Sequence, residues 1–590
     1  ARGPLPPNPW VPVIDLESPH TRVGTLRWPW ILATWAAVSA ALAWWLGTTP
    51  PGALREQLRH WQFWMLEGQF VLLVVLTWVN VRPLVRSLGL SLRDLLLPAF
   101  ASILALALIT GAAPRTNRIF FDEQIYQGIG QNLADLRLAQ FCNDGDLEYG
   151  SLQCRRGEYN KEPYGYGYLL SVAYRVSGVS EDAAFALNTL AGTLLVWVVF
   201  LATTALAGDA RAGGYGALVV ALIPEQLRWS HTAAAEPVAA LGCAVAVLAA
   251  LAFARTRTTR ELLWTVSATA FAAQLRPECL LIAVVVVAVI LLRAPGEVLG
   301  PRFWWAGALG LVLLSLHAGH LVAVRHEDWG AAGARLSTAF FAGNLRTNGW
   351  FFLWDWRFPA LYSALAVAGL ALWRRRDALV PLLYFALFWG LFLFFYAGSY
   401  DYGADVRFSL MTYAPLAMLA GVGIQRVTAR LPTSWRPRTG VPVLVVCALL
   451  FQFLWYLPYV RAVGEEAWAA RADVAFARTF VADLPPNAIV LTQNPSMFHV
   501  WGHSAAQASL ATTEPDYVRG LAASRYAGGV FFHWNYWCNV ADPVQQGFCA
   551  AALAQFPHTL VREYRERDYR YAFYRLDVPA WDGPAPSAAP

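Results

Sequence analysis

Apolar stretches recur along most of the chain and are separated by short polar segments. Thirteen such runs can be marked, several of them shorter than the roughly 20 residues that a helix perpendicular to a bilayer needs. They cover residues 29–47, 62–81, 93–112, 184–206, 213–224, 233–254, 261–275, 278–293, 303–322, 359–373, 379–397, 408–427 and 441–457. The pattern predicts a polytopic α-helical membrane protein with about 13 transmembrane helices.

The count depends on residues 261–293, which would form a helix of roughly 50 Å, too long for one hydrocarbon core of about 30 Å. Arg276 and Pro277 divide this segment into two helices. With the N-terminus inside, the arginine clusters at 82–93 and 255–260 then fall on the cytoplasmic side, as the positive-inside rule expects. An odd count places everything after residue 457 outside, on the same side as the large loop 113–183.

The segments between and beyond these runs divide the chain into predicted regions. Residues 461–578 alternate a helical pattern with strand-like stretches such as NAIVLTQ and GGVFFHW, which predicts a small extracytoplasmic α/β domain. The regions are a cytoplasmic tail (1–28), two extra N-terminal transmembrane helices (29–92), a main transmembrane module (93–460, with the outer loop 113–183), the α/β domain (461–578) and a disordered tail (579–590).

Composition agrees with a membrane location. Hydrophobic residues make up 57% of the 590 residues, charged residues only 14%, and the mean hydropathy is +0.40. The net charge of +6 comes from arginines in short clusters between apolar runs, without a continuous basic face. Topology therefore explains the basic residues better than binding to nucleic acid does.

The seven cysteines separate by region. Cys142 and Cys154 lie in the first large loop, and Cys538 and Cys549 lie in the C-terminal segment. Both pairs are predicted to be outside and are close enough in sequence to form disulfides in an oxidising compartment. The other three cysteines, Cys243, Cys279 and Cys447, fall within apolar runs and are expected to be inert packing residues.

The loop from 120 to 167 carries the strongest candidate chemistry. Asp122 and Glu123 follow an apolar run and open the amphipathic stretch QIYQGIGQNLADLRLA, which could lie along the membrane surface. Acids favour the first turn of a helix, but a carboxylate there could also accept a proton from a hydroxyl or amine. Lys161, the only lysine, is either an interfacial residue or a partner for phosphate.

Short motifs in a characteristic order resemble membrane glycosyltransferases of the GT-C fold. After the Asp122-Glu123 pair come KEP at 161–163, AAAEP with Glu236, LRPE with Arg276, and ADVRF with Arg407. The order is similar to that of the protein O-mannosyltransferases and the lipid A aminoarabinose transferase. The resemblance covers roughly residues 93–460. By contrast, the chain contains no P-loop, HExxH, GxSxG or CxxC motif.

The resemblance implies transfer of a sugar from a polyprenyl-phosphate carrier to a lipid, glycan or protein acceptor on the outer face, with inversion at the anomeric carbon. It implies a bacterial cytoplasmic (inner) membrane location. Asp122 matches the base, with Glu123 beside it, and Lys161 matches a contact to the donor phosphate. Arg276 and Arg407 are further candidate cations. Glu162 follows Lys161 here where the aminoarabinose branch has proline, which puts a bound metal in doubt.

Five other polar residues are candidates for the same site: Glu162, His231, Glu236, His317 and His320. The histidines could ligate a divalent ion or hydrogen-bond a substrate, although such residues are more often satisfied polar groups. The cofactor stays open between none and a divalent metal ion. The expected partners are the polyprenyl-phosphate sugar donor, membrane lipids, the acceptor and a second subunit of a membrane complex, with no nucleic acid.

Three alternatives compete with this reading. An oligosaccharyltransferase-like relative would transfer a whole glycan, but the WDW at 354–356 matches that group's motif poorly. A transporter would show internal repeats, which the sequence lacks. A non-catalytic subunit could keep the fold, although the retained acidic pair argues against it. No motif reports the sugar or the acceptor.

Overall fold

A computed structural model of the chain describes residues 27–327, 333–373, 376–430, 440–540 and 542–579. Nearly all of the two predicted tails, 1–28 and 579–590, lies outside these residues. The described residues form a helical membrane module and a sheet domain that covers one end of it.

Each of the thirteen predicted apolar runs contains a helix. Seven helices of the described residues are long and apolar enough to cross a membrane, and three shorter apolar ones accompany them. The thirteen are α1 (Arg27–Thr48), α2 (Pro51–Ser87), α3 (Leu96–Gly111), α6 (Glu181–Ala207), α7 (Ala210–Ala221), α9 (Glu236–Thr256), α10 (Thr259–Ala273), α11 (Ile282–Arg293), α12 (Pro301–Ala323), α14 (Ala360–Leu372), α15 (Leu379–Phe394), α16 (Leu410–Thr428) and α17 (Gly440–Leu454).

The predicted break at Arg276-Pro277 is confirmed. Helix α10 ends at Ala273, a 3-10 turn follows at Pro277–Leu281, and α11 begins at Ile282. The residue before a proline avoids helical backbone angles, and Arg276 is extended (φ −155°, ψ 154°). The break therefore turns an arginine side chain out of the helical ladder at one end of the module.

Glycines let α16 approach two neighbouring helices closely. A Cβ on Gly421 would lie 2.4 Å from the carbonyl oxygen of Ala212 in α7, and one on Gly423 would lie 2.1 Å from that of Leu365 in α14. In a bilayer the hydrophobic effect does not drive helices together, so they associate through close packing of their backbones at small residues. Helix α16 therefore lies at the centre of the module, and 94% of the residues in its most apolar stretch are buried.

The remaining elements lie between or after these helices. The helices are α4 (Asp122–Asp135), α5 (Gly165–Ser177), α8 (Pro224–Trp229), α13 (Phe341–Trp354), α18 (Leu457–Arg461), α19 (Trp468–Val481), α20 (Pro495–Val500), α21 (Leu510–Thr513), α22 (Pro515–Ser524) and α23 (Pro543–Ala554). The strands are β1 (Phe141–Glu148), β2 (Ser151–Glu158), β3 (Ala488–Thr492), β4 (Ser504–Gln507), β5 (Gly529–Trp534), β6 (His558–Glu566) and β7 (Tyr569–Leu576).

The strands form one seven-stranded sheet in the order β2-β1-β4-β3-β5-β7-β6. Strand β3 is parallel to both of its neighbours, β4 and β5, and the other pairs are antiparallel. The predicted α/β domain is therefore present, but its sheet also includes the hairpin 141–158 from the first large loop. Asp144 of β1 pairs with Ala506 of β4.

Alternating side chains of the sheet enter two separate cores. Val490 and Phe531 pack on one face with Phe480 of α19, while Ile489 and Phe532 pack on the other face, the one covered by α21 to α23. This is the period of two that a strand buried on both faces requires. The sheet domain thus has two cores of its own, and its strands β1 and β2 come from a loop of the membrane module.

Both predicted disulfides are formed, Cys142–Cys154 across the hairpin and Cys538–Cys549 in the C-terminal part. The hairpin turns at Tyr149 and Gly150, both with positive φ (51° and 82°), as a tight two-residue turn requires. Both disulfides therefore belong to the same sheet domain. Of the other cysteines, Cys243 and Cys279 are buried and Cys447 is exposed.

Helix α4 forms where the amphipathic stretch predicted it but does not lie on a surface. Its residues from Glu123 to Leu133 are buried on nearly all sides. A Cβ on Gly128 would lie 2.4 Å from Ser496 Oγ of α20, and one on Gly130 would lie 2.7 Å from Leu170 of α5. The two glycines therefore let α4 pack between the sheet domain and the module.

Candidate active site

Asp122 is the first residue of α4, at the end of the module that the sheet domain covers. Its side chain is 47% exposed, and its Oδ2 lies 3.5 Å from Nη2 of Arg407. The preceding residue, Phe121, has φ 55° and ψ −43°, an unfavourable conformation for a residue other than glycine. The chain thus turns sharply before the helix and leaves the Asp122 carboxylate accessible.

Two arginines converge on one buried carboxylate beside Asp122. Oε1 of Glu236 lies 2.8 Å from Nη1 of Arg276 and 2.9 Å from Nε of Arg407. Glu236 begins α9, Arg276 lies in the break after α10, and Arg407 lies in the 3-10 turn Asp405–Ser409 before α16. Three segments distant in sequence therefore fix both guanidinium groups at the same point.

Further carboxylates surround the arginines. Glu278 lies 2.5 Å from Nε of Arg276, and Asp405 lies 3.4 Å from Nη1 of Arg407. Burial alone would lower the pKa of Arg276, but the charges of Glu236 and Glu278 outweigh it and raise that pKa. Arg276 is therefore permanently charged although it is almost fully buried.

The KEP segment lies against the same group. Glu162 is partly buried, and burial raises its pKa from 4.5 to about 7, opposed by the charge of Arg276 and reinforced by that of Asp122. Lys161 directly precedes it, and the Lys161 carbonyl lies 2.9 Å from Nε2 of His320. The predicted candidates Asp122, Glu162, Glu236, Arg276 and Arg407 thus form one cluster, and Lys161 is the sequence neighbour of Glu162.

Glu123 makes a different set of contacts from the residues of this cluster. Its side chain is fully buried, and its two oxygens accept hydrogen bonds from the backbone N–H groups of Arg118, Ile119 and Ala233. Burial raises its pKa from 4.5 to about 8. These contacts give Glu123 a structural task, tying together the two loops that flank the start of α4.

The histidines have other surroundings. Nδ1 of His231 lies 2.8 Å from the carbonyl oxygen of Ala113, and burial lowers its pKa. His320 contacts the hydroxyl of Tyr159 as well as Lys161, so it holds the KEP segment in place. His317 is buried in α12. Within the described ranges, no group of three or more His, Cys, Asp or Glu side chains is arranged to hold a metal ion.

Two acids of the cluster, Glu278 and Asp405, were not among the predicted site residues. Both lie within the motifs LRPE and ADVRF, so their positions beside Arg276 and Arg407 were the available signal. The ring of Phe121 packs against the rings of Tyr536 and Trp537. No sequence signal indicated this contact, because the partners lie more than 400 positions away.

Comparison with known proteins gives a partial match by sequence and a long one by structure. Residues 161–320 match the family model of the dolichyl-phosphate-mannose-protein mannosyltransferases. No curated protein matches the chain by sequence.

The crystal structure of ArnT from Cupriavidus metallidurans bound to undecaprenyl phosphate is similar, with 16% identity and a TM-score of 0.54 over 83% of this chain and 99% of that one. The apo ArnT structure gives 17% identity and 0.54 over 82% and 97%. An oligosaccharyltransferase from Archaeoglobus fulgidus gives 13% identity and 0.47 over 83% and 75%. The ArnT likeness establishes the fold: the chain has the GT-C fold of membrane glycosyltransferases, as its motifs indicated.

Proposed function

We propose that this protein is an integral-membrane glycosyltransferase that moves a sugar from a polyprenyl-phosphate donor to an acceptor at the face covered by the sheet domain. The observation that carries the proposal is the position of Asp122. An accessible carboxylate lies 3.5 Å from one of two arginines that a single buried glutamate fixes in place. A base and a phosphate site side by side are what sugar transfer from a lipid phosphate requires.

In the proposed reaction, a nucleophilic group of the acceptor attacks the anomeric carbon of the sugar while its proton moves to the carboxylate of Asp122. The bond between the anomeric carbon and the phosphate oxygen breaks, and its electron pair stays on that oxygen. Arg276 and Arg407, together with Lys161, would neutralise the charge that develops there. Attack from the side opposite the leaving phosphate would invert the anomeric carbon.

Glu236 would act as the positioning residue for this phosphate site. It is fully buried and faces both arginines, so it limits the directions in which their guanidinium groups can point. A fixed, pre-oriented cation loses little freedom when the charge of the leaving group develops. Replacing Glu236 by Gln should therefore affect the donor site through the arginines.

An apolar groove beside the arginines suits the lipid part of such a donor. It lies between α2, α5, α6, α9 and α10 and has a volume of about 260 Å³, and its lining includes Leu275, Val238 and Phe70. Leu275 directly precedes Arg276, and Val238 follows Glu236 by two residues. A prenyl chain in this groove would therefore bring its phosphate towards the two arginines.

The sheet domain is proposed to lie outside the cytoplasmic membrane of a bacterium, with the N-terminus in the cytoplasm. Both disulfides belong to this domain, and disulfides persist in oxidising compartments. A reporter enzyme that works only outside the cytoplasm should therefore be active when it is fused after residue 579. A cytoplasmic C-terminus would contradict this orientation.

The test of the base is Asp122→Asn, which keeps the size of the side chain and removes the proton acceptor. Turnover by the purified protein with a polyprenyl-phosphate sugar donor is expected to fall by about 10²- to 10⁴-fold. Binding of undecaprenyl phosphate, measured separately, should persist in the variant. Near-normal turnover would remove Asp122 from catalysis.

The donor site is tested by binding of undecaprenyl phosphate to Arg276→Gln and to two variants of Lys161. Arg276→Gln should weaken binding strongly, since charge-assisted hydrogen bonds to phosphate are among the stronger ones. Lys161→Ala should weaken donor use more than Lys161→Arg, which keeps a cation. Equal affinity of Arg276→Gln and the parent protein would refute the assignment.

A further inference from the structure

A wide cleft separates the sheet domain from the membrane module a short distance from Asp122. Its volume is about 520 Å³. One wall is formed by residues 115–120 and the start of α6, and the other by α19 and the end of α20. A space of this size is ample for a small-molecule or sugar ligand.

Each charged group of the cleft already has a partner. Arg115 lies 3.0 Å from Asp182, and Arg478 pairs with Glu181. Arg471 donates hydrogen bonds to the carbonyl oxygens of residues 464 and 466. The two carboxylates offset two of the three arginines, so the cleft has little net charge with which to attract an anionic ligand. A neutral ligand could instead use the remaining donor and acceptor positions of the pairs.

Two polar atoms in the walls have no hydrogen-bond partner among the described residues. The amide nitrogen of Asn117 lies 3.5 Å from Glu181, which leaves its Oδ1 without a partner. Nε1 of Trp501, on the opposite wall, is likewise unpartnered. One atom accepts and the other donates, and a hydroxyl group can serve both kinds of atom.

Aromatic rings complete the walls. Phe120 and Trp501 line the cleft, and the guanidinium of Arg478 lies 4.5 Å from the centre of a Trp501 ring. Aromatic side chains combine large apolar contact area with little loss of conformational freedom. Sugar rings carry C–H groups on their faces and hydroxyl groups at their edges, so they match a cleft with aromatic faces and paired polar groups.

We propose that this cleft binds a neutral, hydroxyl-rich glycan, and that this glycan is part of the acceptor. Naming it the acceptor rests on the proposed function, through the position of Phe120. The Cα atoms of Phe120 and Asp122 are separated by two peptide units and hence by at most about 7.6 Å. A glycan that contacts Phe120 therefore lies within about one sugar ring of the proposed base.

Binding can be measured without any donor, by saturation-transfer NMR of the full-length protein in detergent with neutral tri- and tetrasaccharides of glucose, mannose and N-acetylglucosamine. At least one should bind, and Trp501→Leu and Asn117→Ala should each weaken that binding about tenfold. Trp468→Leu is the matched control, since Trp468 also stacks with an arginine, Arg567, at 4.1 Å but lies outside the cleft. Asn143→Ala on the hairpin is the control for the amide.

Failure of every neutral oligosaccharide to bind would overturn the proposal. So would loss of binding in the Trp468 control to the same extent as in Trp501→Leu, or binding of inorganic phosphate that competes with the oligosaccharide. Melting temperatures of all variants show whether they fold. If Trp501→Leu does not fold, Asn117→Ala still decides the test. If the parent protein transferred no sugar from a polyprenyl-phosphate donor while the cleft variants lost oligosaccharide binding, the proposed function would fail and the glycan site would stand.

Discussion

The ring of Phe121 lies 5.2 Å from the ring of Trp537, so the sheet domain holds the residue that directly precedes Asp122. Tyr536 contacts the same ring at 5.6 Å. Both partners lie in the 3-10 turn Tyr536–Asn539, which also contains Cys538 of the second disulfide. The unfavourable backbone of Phe121 is therefore maintained by a turn that is itself cross-linked to α23.

Removing the contact between Phe121 and Trp537 should lower turnover and leave the donor site intact. Trp537→Leu is expected to reduce kcat by about tenfold to a hundredfold, because small displacements of a catalytic group have effects of that size. Undecaprenyl phosphate binding should stay unchanged. Trp468→Leu serves as the control for loss of an indole elsewhere in the domain. Unchanged kcat in Trp537→Leu would show that the contact between Phe121 and Trp537 does not position Asp122.

Donor affinity should depend on the ionisation of Glu162. Its pKa of about 7 lies above the ordinary 4.5, so the side chain is neutral below pH 7 and negative above it. The new charge faces Arg276, Asp122, Glu236 and Glu278, and it would repel a bound phosphate. Raising the pH from 6 to 8 should therefore weaken undecaprenyl phosphate binding about five- to tenfold relative to Glu162→Gln.

The comparison with Glu162→Gln is needed because the phosphate of the lipid also titrates, with a pKa near 6. That titration is common to both proteins and cancels in the ratio of their dissociation constants. A ratio that stays constant from pH 6 to pH 8 would contradict the assignment of Glu162 to the donor site.

Glu466 should be important for stability, because it is shared by two buried arginines. Its Oε1 lies 2.5 Å from Nη1 of Arg118 and 2.8 Å from Nη2 of Arg228. Burial lowers the pKa of Arg118 to about 10, which shows how much this cation depends on its partners. Glu466→Gln should cost about 3–5 kcal/mol of unfolding free energy, as expected when a buried pair loses one partner.

The neighbouring Glu465 provides the control for that experiment. It pairs with Arg567 at 3.0 Å, but its side chain is 79% exposed. Glu465→Gln should therefore change the unfolding free energy by less than about 1 kcal/mol. Equal melting temperatures for the two variants would mean that the buried arginines are stabilised by other groups.

The close approach of α14 and α16 should make Gly423 intolerant of a side chain. A Cβ there would lie 2.1 Å from the carbonyl oxygen of Leu365 and 2.9 Å from the nitrogen of Gly369. Gly423→Ala should destabilise the protein by about 1–3 kcal/mol. Gly390→Ala in α15, where no atom lies within 4 Å, should be neutral or slightly stabilising. Similar melting curves for both would show that the helices can move apart.

The membrane helices could be predicted from the sequence because a bilayer forces each crossing segment to satisfy its own backbone hydrogen bonds. The break at Arg276 was visible because the apolar segment is too long for one crossing and a proline interrupts its helical hydrogen bonds. The strands near Val490 and Phe531 showed aromatic and β-branched patterns. Their pairing with residues 141–158 had no such signal, because strands pair through backbone groups that all sequences share.

The site was predicted as separate residues and not as an arrangement. Asp122, Arg276 and Arg407 were each candidates, but the meeting of the two arginines at Glu236, with Asp122 beside Arg407, depends on how α9, α10 and α16 pack. Glu123 was expected to share the site with Asp122. Adjacent helix residues point about 100° apart, and this rotation turns Glu123 into the protein.

Strand β1 also imposes an order of events during synthesis. Its partner β4 is translated only after residues 159–503, which include ten of the thirteen helices that match the predicted apolar runs. At about 5–20 residues per second, the hairpin waits roughly 20–70 s before that edge is paired. During this interval its open edge could capture a foreign strand. A chain that ends at residue 460 would contain all thirteen of these helices. It would lack most of the sheet domain that covers the end of the module where Asp122 lies.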